Sequence, residues 1–74
     1  MRIVWTVKSN CEIGYWQTAY TVAGAMRAAR KAARNVIGAS CALVGVRYAT
    51  GQIQETHKLG NYSIADSSKW QKVI

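Results

Sequence analysis

Residues 21–38 read TVAGAMRAARKAARNVIG, and this run decides the fold. It is rich in alanine, carries four cations and lacks proline, a composition of high intrinsic helix propensity. Thr21 stands where an N-cap hydroxyl would accept a free amide of the first turn. Gly38, followed by Ala39 and Ser40, stands where the helix should stop, because glycine accepts the left-handed backbone common just past a last turn. Gly24 costs a little near the start without breaking the run. At about 100° per residue, Arg27, Arg30, Lys31 and Arg34 fall within roughly a third of the circumference. Val22, Met26, Ala29, Ala33, Val36 and Ile37 gather on another side. Such a helix needs a second layer to cover its apolar face.

The flanking segments supply that layer. Residues 2–8, RIVWTVK, are β-branched and aromatic and predict a strand with Ile3, Trp5 and Val7 on one side. SNCEIG reads as a turn, and residues 15–20, YWQTAY, as a short return that makes the N-terminus a hairpin. Beyond the helix, residues 41–49, CALVGVRYA, place Val44, Val46 and Tyr48 at period two. Thr50 and Gly51 then turn the chain into QIQETHK. Leu59, Gly60 and Asn61 break before YSIA, and Asp66, Ser67 and Ser68 precede the closing KWQKVI. The layout is ββαβββ. It predicts one α+β domain over residues 1–74, an antiparallel sheet of about five strands with the helix packed on one face and the other face partly open to solvent.

A chain of 74 residues buries only about 60% of the surface it exposes when unfolded, so its core is thin. Phenylalanine is absent, which predicts that Trp5, Trp16, Trp70 and the four tyrosines supply much of the core's bulk. No run approaches the roughly 20 apolar residues of a membrane span, and no secretory h-region opens the chain, so the expected setting is the cytoplasm. There Cys11 and Cys41 are read as reduced, buried, small apolar residues, with a single disulfide as the alternative. Two distant cysteines and one histidine offer no metal site, and nothing calls for a cofactor.

Ten Lys and Arg against three acids give a net charge of +7, which draws the molecule to anionic partners and excludes a mimic of nucleic acid. The helix face is the most concentrated part of that charge. A face tuned only for solubility would intersperse acids, because like charges three and four residues apart repel. Three of the four cations are arginines, whose planar fork binds phosphate or carboxylate through two hydrogen bonds. Arg47, Lys58, Lys69 and Lys72 extend the patch if the fold brings them round. Trp70, between Lys69 and Lys72, suits either stacking on a base or plugging the core, and Tyr62 beside Asn61 shares that ambiguity. Glu55 and His57 alternate on one predicted strand about 7 Å apart, the sole acid–base pair. With no nucleophile or phosphate loop beside them, the reading is a binding protein and not an enzyme. A ribonuclease toxin using His57 is the catalytic alternative.

The N-terminal hairpin, T-V-x-x-A-x-x-A at Thr21 to Ala28, CALVGVRYATG at residues 41–51 and the Lys69-Trp70 close together resemble small phage-encoded anti-CRISPR proteins directed at type I surveillance complexes. Several of these are ββαβββ domains of about this length. The resemblance implies a non-enzymatic inhibitor that docks on the repeated backbone subunits of such a complex and blocks pairing of guide RNA with target DNA. It brings no catalytic residues. The alternative from charge alone is a small DNA- or RNA-binding domain that contacts phosphates directly.

Overall fold

The structure, a computed structural model, describes residues 1–9, 12–36, 38–60 and 70–73. Its elements run β1 (Arg2–Ser9), β2 (Glu12–Ile13), β3 (Gln17–Ala19), α1 (Val22–Asn35), β4 (Ala39–Arg47), β5 (Ile53–Leu59) and β6 (Gln71–Lys72). Every strand pairing is antiparallel, in the order β2-β1-β4-β5-β6, with β3 also on β1. Since β4 runs along the whole of β1, β2 and β3 share the opposite edge of β1 and together fill one strand position. The fold is α+β, a five-position sheet carrying one helix. The predicted strand YSIA lies outside the described residues.

The return along β1 is interrupted at residues 14–16, and buried Thr6 holds the interruption together. Its Oγ1 reaches the carbonyl oxygens of Gly14 at 2.8 Å and Tyr15 at 3.3 Å, while the Gly14 amide donates to Val7 O at 3.2 Å. A buried hydroxyl needs such partners, because leaving it unpaired would cost about 1–3 kcal/mol.

The helix begins and ends as its sequence dictates. Thr21 is the N-cap, its Oγ1 accepting from the Gly24 amide at 2.9 Å. At the other end the chain leaves the helix at Val36 and turns at Gly38, whose φ of 78° lies in the left-handed region where a side chain is strained. The hairpin after β4 also stands where it was predicted, with the Gly51 amide donating to Tyr48 O and the Tyr48 amide to Gln52 O, both at 2.9 Å.

Ala25, Ala29 and Ala33 are the buried residues of the helix, spaced four apart. Ala29 packs with Ala42 of β4 and Leu59 of β5, and Trp5 and Trp70 lie against this cluster. The buried face is narrower than the predicted apolar side: Val22 and Val36 are exposed, and Ala25 takes part where it was not expected. Small residues let the helix backbone approach the sheet closely, and the bulkier valines fall outside that contact. Ile37 lies outside the described residues.

The core differs from the sequence reading in two further respects. Five consecutive residues of β4, Cys41 to Gly45, are buried. Successive side chains point to opposite faces, so the sheet is closed on both sides at its centre and not open on one. The described tyrosines contribute little: Tyr15 and Tyr20 are almost fully exposed and Tyr48 is 44% exposed. Val4, Val44, Leu59 and the alanines fill the interior instead, with the tryptophans at its margin. Cys41 is a buried free thiol, so it forms no disulfide, and Cys11 lies outside the described residues. Among the described residues no helix is long and apolar enough to cross a membrane.

Enlarging the helix–sheet contact tests this packing. Ala29→Leu forces extra methylenes into a fully buried site and should cost about 1–3 kcal/mol, lowering the thermal midpoint by several degrees. Ala23→Leu, on the exposed side, should change stability by less than about 0.5 kcal/mol. Equal effects in the two melting curves would place the helix differently.

Candidate recognition face

The outward side of α1 is where the charge concentrates. With Ala25, Ala29 and Ala33 turned to the sheet, the 100° rotation per residue carries Arg27, Lys31 and Arg34 to the far side, and all three are exposed. Arg30, at the edge of this group, is half-buried and held by an interaction of its own, so it contributes less than the full projection expected. The seven residue steps from Arg27 to Arg34 span about 10 Å at 1.5 Å per step. Of the three acids in the sequence, Glu12, Glu55 and Asp66, none lies in the helix.

This face carries a stability cost. Arg27–Arg30 and Lys31–Arg34 are three apart, and Arg27–Lys31 and Arg30–Arg34 four apart, so four neighbouring pairs repel by roughly 0.2–0.5 kcal/mol each. Together that is about 1–2 kcal/mol, a considerable share of the roughly 4–11 kcal/mol a domain of this size retains. Arg34, in the last turn, recovers part of it from the negative end of the helix dipole, and Arg30 has an interaction of its own.

Of the remaining cations described, Lys58 and Arg47 lie on the sheet face away from the helix. Lys58 pairs with Leu43, which alternates with Ala42 and Val44, and so belongs to the sheet face away from α1. Lys72 is exposed on edge strand β6 opposite His57, on the helix side of the sheet. Arg47 stands at the end of β4, half-buried and directly opposite Arg2 on β1. Lys69 and Tyr62 lie outside the described residues. Trp70 is half-buried and leans on the Ala29–Ala42–Leu59 cluster, so at least part of its surface packs on the core.

A bulge separates the acid–base pair. From Ala42↔Leu59 to Val44↔His57 the strands keep one register, and from Gly45↔Glu55 to Arg47↔Ile53 they keep another, so Thr56 is the extra residue. His57 therefore shares the face of Val44, and Glu55 that of Gly45, on opposite sides of the sheet. The 2.8 Å contact between Thr56 Oγ1 and His57 Nδ1 fits the same geometry, because consecutive residues of a regular strand point apart. Gly45 marks the spot: a Cβ there would lie 2.7 Å from Gln54 O. Nothing in the spacing of Glu55 and His57 revealed the extra residue.

Compared with family models, curated proteins and solved structures, the chain matches none. What the helix face can do follows from its own chemistry, a rigid row of cationic donors turned to solvent.

If the repulsion on this face is real, relieving it should stabilise the free domain. Arg27→Glu places a carboxylate three and four residues before Arg30 and Lys31, the favourable orientation for helix pairs. Thermal or urea unfolding should show stability raised by about 0.5–1 kcal/mol; a clear loss would mean that Arg27 is held by contacts of the fold.

Proposed function

We propose that this domain acts by binding, docking the face formed by Arg27, Lys31 and Arg34, with Arg30 at its edge, on an anionic surface of a larger assembly. The observation that carries the reading is one-signed exposure: three cations share the outward side of a helix whose opposite side is fixed to the sheet by buried alanines. Repulsion that costs the free molecule stability is relieved when an opposing negative surface arrives, so the cost returns as binding free energy.

The partner we carry forward is the one the sequence resemblance implies, a type I CRISPR surveillance complex in the host cytoplasm. In that role the domain is a non-enzymatic inhibitor that blocks target DNA binding. The groove of such a complex holds RNA and is itself basic, so the face must meet an acidic protein patch beside it or the nucleic acid within it. The ribonuclease alternative, favoured by smallness and basicity alone, would have to use His57 without Glu55 on the same face.

Direct phosphate binding is the second reading, because the same exposed arginines suit phosphate. It gives a log–log salt slope near −3 on duplex DNA for three contacts. The half of Trp70 that packs on the core is not available for stacking on a base.

The test combines Lys31→Glu with Arg34→Glu and measures association with a purified type I complex. The wild type should bind stoichiometrically and abolish target-DNA binding. The double variant, its fold verified by circular dichroism, should bind at least about tenfold more weakly, a loss of about 1.4 kcal/mol or more. Unchanged affinity would overturn this surface. Binding of the wild type to DNA or RNA alone, with no affinity for the complex, would replace the inhibitor reading with the second one.

A further inference from the structure

Away from the helix face, the start of β1 and the end of β4 bring two arginines together. Arg2 and Arg47 are directly opposed in the antiparallel ladder, so their side chains leave the same face of the sheet. Like charges in this position destabilise a sheet, and no ion pair or hydrogen bond joins either guanidinium to another described residue. Beside them, a cleft of about 400 Å³ is lined by Met1, Arg2, Arg47, Tyr48, Ala49 and Gly51, the last three from the β4–β5 turn. Its volume is within the range of small-ligand sites, roughly 300–1,000 Å³.

We propose that this cleft is a phosphate-monoester-binding site, with Arg2 and Arg47 together holding the phosphate. Charge balance selects the anion. Two guanidinium groups place about two positive charges together, and a phosphate monoester carries about −1.5 to −2 near neutral pH, whereas a carboxylate or a phosphodiester offers one. The fork geometry suits its oxygens, since each guanidinium can give two parallel N–H donors. Arg47 stood out in the sequence only as a cation that could extend the helix patch; Arg2 stands 45 residues from it, and the β1–β4 register alone opposes the two. The site is independent of the helix face and of any macromolecular partner.

Titration of the isotope-labelled domain with adenosine 5′-monophosphate, followed through backbone amide shifts, tests it. Saturable shifts centred on Arg2, Arg47, Tyr48 and the 49–51 turn are expected. Affinity should fall at least about tenfold in Arg2→Gln and in Arg47→Gln, and be retained in Lys8→Gln, which removes the same charge at the far end of β1. Because each arginine variant relieves a like-charge contact, its melting temperature should hold or rise, which separates lost binding from lost folding. Binding should also strengthen from pH 5 to pH 7.5, as the phosphate loses its second proton near pH 6. Absence of shifts at millimolar nucleotide would overturn the site, as would equal affinity for adenosine lacking phosphate. Phosphoserine should compete with the nucleotide for the same residues, and failure to compete would overturn the assignment to the monoester group.

Discussion

The close contact between Ala25, Ala29 and Ala33 and the centre of the sheet governs the rest of this molecule, because a helix has only one way to turn once its buried stripe is fixed. Alanine at four-residue spacing keeps that stripe narrow. It meets Ala42 and Leu59, themselves fully buried, and the two tryptophans close the margin. The same rotation that buries the alanines sets Arg27, Lys31 and Arg34 in solvent. Fold and candidate function thus depend on one packing arrangement: widening the helix–sheet gap would tilt the cationic row as well as weaken the core.

On the proposed reading, electrostatics is what distinguishes that row from an ordinary solvated surface. A small domain has few kcal/mol to lose, and a single-sign helix face gives up a noticeable part of them in the absence of a partner. The opposed Arg2 and Arg47 repeat the pattern at the end of the sheet. In both places the free molecule tolerates repulsion that one well-placed acid would remove. Such local conflicts with stability are where function is reasonably sought, since a sequence shaped only for folding has no cause to keep them.

Much of the fold was legible because the decisive signals are local. Thr21, Gly38 and Gly51 act within a few residues of themselves, and the alanine-rich run needs no tertiary context to favour a helix. The four helix cations follow from periodicity alone. Signals that failed depend on what lies across space. Tyr15 and Tyr20 were assigned to the core because aromatic bulk was scarce, yet small residues approach closely enough to close it without them. The bulge at Thr56 arises where β5 presses on Gly45, and it moved Glu55 to the face opposite His57 against the simple alternation of a strand. Arg2 carried no sequence signal, since its significance comes wholly from the strand register that sets Arg47 beside it.

The central claim is that the outward helix face is the part of the molecule a partner covers. Footprinting with an arginine-selective dicarbonyl reagent, read by mass spectrometry on the unmodified sequence, measures this most directly. Arg27 and Arg34 should react readily in the free domain and become protected when the type I surveillance complex is bound. If they react at the same rate in the bound domain, or resist the reagent in the free one, the helix is not the recognition surface.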